Sequence, residues 1–266
     1  MHLRLFHLWL VSLPLCLATA AAYALPAIAY AVILCAHFAV FIWGVFDIKL
    51  RFFCPALIRG KRDTMQVAVT FDDGPNPALT PAVLDILKHY GIPATFFVIG
   101  EKARAYPDII RRMDTEGHTV GCHDLNHGLR SNFRLCRTLI RDIGTACATI
   151  EGIIGKRPLL YRPPVGLTNP HTFKALRTLG LHCIGWSRSA GDAGNRRTRG
   201  IEKISKLAGP GEVLLLHDSL PKPELKETVL GTLEDLCADI KARNLQPVTV
   251  NMFFGIEAYG PQHPLK

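Results

Sequence analysis

Between Leu5 and Phe46 the chain has no Asp, Glu, Lys or Arg. A stretch of that length without a charged side chain is not an ordinary protein surface. Pro26 divides it into two apolar runs, Leu5 to Leu25 and Ala27 to Phe46, each with the roughly 20 residues a helix needs to cross a bilayer. Together they exceed the roughly 7–15 apolar residues of a cleaved signal peptide. Other absences narrow the field. No Cys-x-x-Cys pair occurs, which excludes a zinc finger or a dithiol redox motif. Five of the eight cysteines (Cys122, Cys136, Cys147, Cys183 and Cys237) lie within residues 64–252, an odd number without regular spacing. That pattern suits free thiols in a reducing compartment better than a disulfide framework. There is no internal repeat and no low-complexity tract.

Charge is concentrated beyond Phe46. Only Arg4 precedes Asp47, so the remainder holds 30 Lys plus Arg against 22 Asp plus Glu. No Gly-aromatic platform or DNA-binding motif accompanies this excess, so nucleic acid is not an expected partner. Beside a membrane, the same excess favours anionic lipid headgroups or a phosphate-linked substrate. Lys49, Arg51, Arg59, Lys61 and Arg62 come just after the second apolar run, against Asp47 and Asp63, while the connection around Tyr23 to Ala27 is uncharged. Basic flanks stay on the cytoplasmic side, so the expectation is one or two transmembrane helices, a two-helix hairpin in preference to a single span, with the rest of the chain in the cytoplasm in either case. The expected division is a membrane anchor over 1–48, a basic linker over 49–63, a catalytic domain over 64–252 and a tail over 253–266.

Beyond the linker, β-like and helix-like segments alternate. Strands are expected at Gln66 to Phe71, Ala94 to Ile99, His118 to Cys122, Leu159 to Tyr161, His182 to Trp186, Glu212 to Leu216 and Pro247 to Val250. Helices are expected at Thr80 to Tyr90, with Thr80 as N-cap, Pro81 at the first position and Gly91 at the end, and at Pro107 to Glu116. Three more are expected at Phe133 to Ile154, His171 to Leu179 and Glu224 to Arg243. About seven strands alternating with helices argue an α/β fold with a parallel sheet inside and helices outside.

The chemistry-bearing residues stand just after these strands. The chain reads Thr70-Phe-Asp72-Asp73-Gly-Pro75 and later His123-Asp-Leu-Asn-His127. Either fragment alone is ordinary, a turn in one case and a helix face in the other. Together they supply one carboxylate and two imidazoles for a divalent ion, with a second carboxylate beside it to act as general base. Tyr161-Arg162-Pro-Pro-Val165-Gly166, Trp186-Ser-Arg-Ser-Ala-Gly-Asp192 and Leu214-Leu215-Leu-His217-Asp218 come later, in that order. A phosphatase of the Asp-x-Asp type is excluded, because here the two Asp residues are adjacent.

In these five ordered motifs, over roughly residues 64 to 252, the chain resembles the polysaccharide deacetylases, the NodB-like carbohydrate esterases. The resemblance implies a distorted, incomplete (β/α) barrel and metal-dependent hydrolysis of an acetyl group on an N-acetylated sugar. It implies Asp73, His123 and His127 as metal ligands, Zn²⁺ as the ion with Co²⁺ as a substitute, and Asp72 as general base oriented by Arg162. It further implies His217 as general acid tuned by Asp192, the Val165 N–H as oxyanion donor and Leu215 in the acetyl pocket. The chain departs from the family pattern at Asp124, usually Ser or Thr, where a carboxylate is added near the metal. It departs also at Val165, usually aromatic, at Ser189, usually Asp, and at Ala193, usually Trp. A long aromatic glycan groove is therefore weakened while the chemistry is retained. Arg196, Arg197 and Arg199 form a basic run that either is a solvated face or holds a phosphate.

The expected substrate is an N-acetylated glycan or glycolipid, such as a lipid-linked glycan intermediate, with membrane lipids as neighbours. Removal of another small acyl group, such as formyl, is the alternative within the same chemistry. A catalytically silent membrane-anchored sugar-binding protein is the alternative outside it, and the complete set Asp72, Asp73, His123, His127 and His217 argues against silence.

Overall fold

Strand β1 (Gln66–Asp72) runs through the middle of the molecule, and its period-2 alternation organises everything around it. Val67, Val69 and Phe71 face outward onto Val83, Leu84 and Leu87 of helix α3 (Thr80–Tyr90). Ala68 faces the opposite way, into an interior cluster with Phe97, Leu160, Ile184 and Val213. Thr70 and Asp72 share that inner face, so β1 ends with a carboxylate pointing into the barrel. The computed structural model describes residues 4–128, 134–192, 204–206, 208–220 and 222–261.

The remaining strands are β2 (Thr95–Val98), β3 (Thr119–Cys122), β4 (Arg157–Pro158), β5 (Leu160–Tyr161), β6 (His182–Cys183), β7 (Arg188–Ser189), β8 (Val213–His217), β9 (Gln246–Pro247) and β10 (Tyr259–Gly260). The main sheet runs β6-β5-β3-β2-β1-β8-β7, every pairing parallel, a curled and incomplete barrel of seven strands. Around it lie α4 (Gly100–Ala105), α5 (Pro107–Thr115), α6 (Cys136–Ile154), α7 (Pro170–Leu179), α8 (Lys226–Ala242) and α9 (Val250–Phe254). Because all seven strands run the same way, their C-terminal ends share one edge of the barrel.

The expected strand count holds with one exchange. Pro247 to Val250 is not a strand through the sheet: β9 pairs only with the start of β1, and Val250 already opens α9. The seventh place is taken by β7, two polar residues whose pairing depends on β8 rather than on any apolar run. Thr80 does not cap α3 either. Its hydroxyl donates to Asp218 Oδ2 at 2.7 Å and accepts from Asn76 N at 2.8 Å, so it ties three segments together within the first turn. Of the expected Phe133 to Ile154 helix, Phe133 falls outside the described residues, Arg134 and Leu135 are not helical, Leu135 being extended, and the helix begins at Cys136.

The sheet is open between β6 and β7, and residues 57–60 fill the gap. Leu57 N donates to Cys183 O and Gly185 N to Leu57 O, while Gly60 N donates to Gly211 O and Arg59 pairs with Glu212 at 2.8 Å. Phe52, Phe53, Cys54 and Ala56 are buried. Much of the expected basic linker thus belongs to the domain wall. The expected tail behaves likewise at its start, where β10 pairs with β4 and the Tyr259 hydroxyl accepts from Val120 N at 2.9 Å.

Helices α1 (Arg4–Ala22) and α2 (Ala27–Phe46) form an antiparallel pair, each long and apolar enough to cross a membrane. Trp9 Nε1 donates to His37 O at 3.1 Å between them. The ends of both helices meet the domain through Phe6, Trp9, Phe41, Phe52 and Phe53, with ring centroids 4.8–6.0 Å apart. Gly44 allows this approach, since a Cβ there would run into the Phe52 ring. Leu8, Val11, Leu15, Ile28, Val32 and Phe38 remain exposed along the pair.

Candidate active site

The strand ends bring the predicted residues together. Asp72 and His217 are register partners at the ends of β1 and β8, His123 directly follows β3, and Arg162 directly follows β5. Asp72, Asp73, His123, His127, Val165, Leu215 and His217 line one open pocket of about 540 Å³, with Trp186 and Ser189 in its wall.

Arg162 is completely buried. Its Nη1 donates to Asp72 Oδ1 at 2.7 Å and to Thr70 Oγ1 at 2.8 Å, Nη2 donates to Gly185 O at 2.9 Å, and the guanidinium lies 4.1 Å from the Phe97 ring centroid. Burial lowers its pKa, and the charge and hydrogen bond of Asp72 oppose that. A buried cation is tolerable only when its donors are met in this way. The effect on Asp72 is geometric. One carboxylate oxygen is fixed by Arg162, and the other, 3.8 Å from His123 Nε2, is turned to the pocket.

Asp73 breaks away from the strand with φ 71, a left-handed conformation that aims its carboxylate differently from that of Asp72. Lys102 Nζ donates to the Asp73 carbonyl at 2.7 Å and steadies the turn. Asp73 Oδ1 is 3.5 Å from His123 Nε2 and 3.3 Å from His127 Nε2. Burial would raise the Asp73 pKa, but the closeness of His123, with the charges of His127 and His217, holds it far below the usual carboxylate range. His127 is pushed down by burial first and by His123 second. His123 Nδ1 lies 2.8 Å from the Arg162 carbonyl, which can only accept, so Nδ1 carries the proton and Nε2 offers a lone pair.

This trio fits a divalent cation. The three ligand atoms lie within 4.8 Å of one another, and Asp73 Oδ1 is buried with no hydrogen-bond donor. Metal–ligand bonds of about 2.0–2.1 Å at a tetrahedral angle put neighbouring ligand atoms about 3.4 Å apart, which the observed 3.3 and 3.5 Å match. Asp124, expected to add a carboxylate to the metal site, does not join the group. It is fully buried, with φ 69, and its nearest ion-pair partner is Arg134 at 3.8 Å. The left-handed backbone after His123 turns the side chain away from the pocket.

On the opposite wall, His217 Nδ1 donates to Asp192 Oδ1 at 2.7 Å, and His217 N donates to Asp192 Oδ2 at 3.0 Å. Burial lowers the His217 pKa, but the Asp192 hydrogen bond and charge, helped by Asp72 and Asp73, raise it to about 9. An imidazolium held by its Nδ1 leaves Nε2 able to give a proton to something in the pocket. Val165 is exposed and has φ 58, strained for a β-branched residue. The next residue has to be glycine: Gly166 has φ 72, and a Cβ there would run into the Trp186 ring. Arg196, Arg197, Arg199 and Ala193 lie outside the described residues.

Two supports were not anticipated. Thr70, two residues before Asp72, is visible in principle from strand alternation. Asp218 is not, because only the fold brings Thr80 to it. Burial raises its pKa to about 7 against the Thr80 hydrogen bond, and it packs so close to Gly74 that a Cβ there would collide with its carboxylate.

Known proteins resemble this chain in sequence and fold. A model of the polysaccharide deacetylase family matches residues 59–184. The chain is 35% identical over 189 residues to a peptidoglycan-N-acetylglucosamine deacetylase of Bacillus cereus, covering 70% of this chain and 86% of that one. It is 36% identical over 171 residues to a chitooligosaccharide deacetylase of Sinorhizobium fredii, covering 61% and 76%. A crystal structure of a peptidoglycan N-acetylglucosamine deacetylase superposes with a TM-score of 0.69 at 26% identity, over 76% of this chain and 93% of that one. With its curled parallel barrel and its strand-end carboxylates and imidazoles, the chain belongs to the polysaccharide deacetylase family of hydrolases.

Proposed function

We propose that this protein hydrolyses the acetamido group of an N-acetylated sugar carried close to a membrane, with Asp72 as general base and His217 as general acid. The observation that carries this reading is the convergence of an Arg162-fixed Asp72, the Asp73–His123–His127 trio and an Asp192-charged His217 in one pocket. Asp73, His123 and His127 would hold a divalent cation, Zn²⁺ or Co²⁺ by the ligand set, which when bound would supply Lewis-acid polarisation.

The side chains do the rest. The free oxygen of Asp72 takes a proton from the water that attacks the acetyl carbonyl. Charge developing on the carbonyl oxygen is met by the Val165 N–H. As the C–N bond breaks, His217 Nε2 protonates the nitrogen, because an amine anion is a very poor leaving group. The products are acetate and the free amino sugar. Leu215 and Trp186 line the pocket, and Leu215 would face the acetyl group.

The membrane placement of the substrate rests on α1 and α2. Thr168 N, on the loop that carries Val165, donates to Val45 O at the end of α2 at 3.1 Å, so one rim of the pocket is tied to the proposed anchor. A glycolipid is a better fit for that placement than a finished polymer, and the basic flank after α2 supports a cytoplasmic domain. The test is mass spectrometry of membrane glycolipids and of N-acetylated oligosaccharides incubated with the protein, looking for acetyl replaced by hydrogen. Chelation should stop the reaction and Zn²⁺ or Co²⁺ should restore it. Full turnover in metal-free protein, or no mass change on any N-acetylated substrate, would overturn the reading.

A further inference from the structure

A second cavity, of about 510 Å³, lies apart from the catalytic pocket, between the segment that leaves α2 and helix α7. That volume is within the roughly 300–1,000 Å³ typical of ligand sites. Its walls are of two kinds. Cys54, Leu57, Phe173 and Leu176 are apolar, and Arg51 and Arg177 line the same cavity. No Asp or Glu lines it. Among the described residues neither arginine has an acidic partner, and Arg51 Nε is buried without a hydrogen bond. A buried guanidinium nitrogen left unpaired is costly, and Arg geometry matches phosphate oxygens.

The position specifies the occupant further. Arg51 follows the end of α2 by five residues and precedes Phe52 and Phe53, which seat the helix pair on the domain. With α1 and α2 in a membrane, Arg51 comes close to the level of lipid headgroups. Apolar walls combined with two arginines, near that depth, complement a molecule with a hydrocarbon end and a phosphate end.

We infer that this cavity binds one phosphate-bearing lipid, its phosphate on Arg51 and Arg177 and part of its chain against Leu57, Phe173 and Leu176. The inference rests on the membrane placement of α1 and α2 proposed above and is independent of the proposed reaction. The site adjoins the catalytic centre: Cys183 lines it, and the next two residues, Ile184 and Gly185, accept from Arg162.

Native mass spectrometry of the full chain released from detergent tests this, with phosphatidylglycerol, phosphatidylcholine and inorganic phosphate as probes. Wild type should retain one phosphatidylglycerol in preference to phosphatidylcholine. R51Q/R177Q should lower that retention about tenfold and leave the non-specific phosphatidylcholine background unchanged. R177Q alone changes an exposed side chain, so it keeps the fold and should give a partial loss. Leu176→Trp, which narrows the cavity, should lower retention without removing charge. Equal retention of the two lipids, or retention unaffected by R51Q/R177Q in folded protein, would overturn the inference. So would displacement of phosphatidylglycerol by inorganic phosphate at comparable concentration, which would mark a free-anion site. Recovery of the chain in the soluble fraction after an alkaline wash of membranes would refute the placement on which the lipid depth depends.

Discussion

Asp192→Asn is the perturbation with the clearest expected signature, because it removes the group that holds His217 charged. With Asp192 in place the His217 pKa stands at about 9, against an ordinary value of 6.5. Burial works in the other direction, and the Asp192 hydrogen bond is the largest of the effects that oppose it. Without it, only the charges of Asp72 and Asp73 oppose burial, and the pKa should fall by about two units or more, each unit being about 1.4 kcal/mol. At pH 8 a group of pKa about 9 is about 90% protonated and one of 6.5 about 3%, so kcat/KM should drop about 30-fold. A cation on Asp73, His123 and His127 moves the alkaline limb of both proteins to lower pH together, so the readout is the separation between the two limbs, and the rates converge only below the lower one. The assay is release of amino sugar from an N-acetylated oligosaccharide across pH 5–10. Stability carries the same sign. A folded-state pKa raised to about 9 means that the stabilisation from charged His217 is complete below pH 6.5 and is lost as pH rises through about 9. The Tm gap between wild type and variant should close over that window. An alkaline limb that stays in place in Asp192→Asn, or that persists in His217→Ala, would refute His217 as the proton donor.

Asp72→Asn should keep bound metal near the wild-type level while lowering kcat by roughly 10²–10⁴-fold, the worth of a general base, whereas Asp73→Asn should lose metal as well; elemental analysis beside kinetics separates the two. Gly166→Ala forces a Cβ onto the Trp186 ring at a left-handed position and should cost about 2–4 kcal/mol, read as a fall in the denaturant midpoint. A reporter fused after Lys266 tests the membrane orientation: a phosphatase that works only in the periplasm should be silent, and a cytoplasmic fluorescent protein should be bright.

Much of the site was legible because its signals are local. An Asp pair at the end of an apolar run, or a His after a strand, needs only neighbouring residues to be recognised, and parallel strands then deliver each such end to one edge. The two apolar runs split by Pro26 are equally local, since length and lack of charge are properties of the segment itself. Legibility failed where a residue's partner is distant. Asp124 reads as a neighbour of His123, but its left-handed backbone buries it away from the pocket. Thr80 reads as a cap, but Asp218, brought in by β8, claims its hydroxyl.

Sequence alone thus determined the chemical groups, their order, the alternation of strand and helix and the two long apolar helices. The strand order β6-β5-β3-β2-β1-β8-β7, the plugging of its gap by residues 57–60 and the cavity under Arg51 and Arg177 were decided only by the tertiary structure. The physical reason is range. Periodicity and turn chemistry act over a few residues, whereas burial and the pairing of polar groups are settled between segments that meet only when the chain has folded.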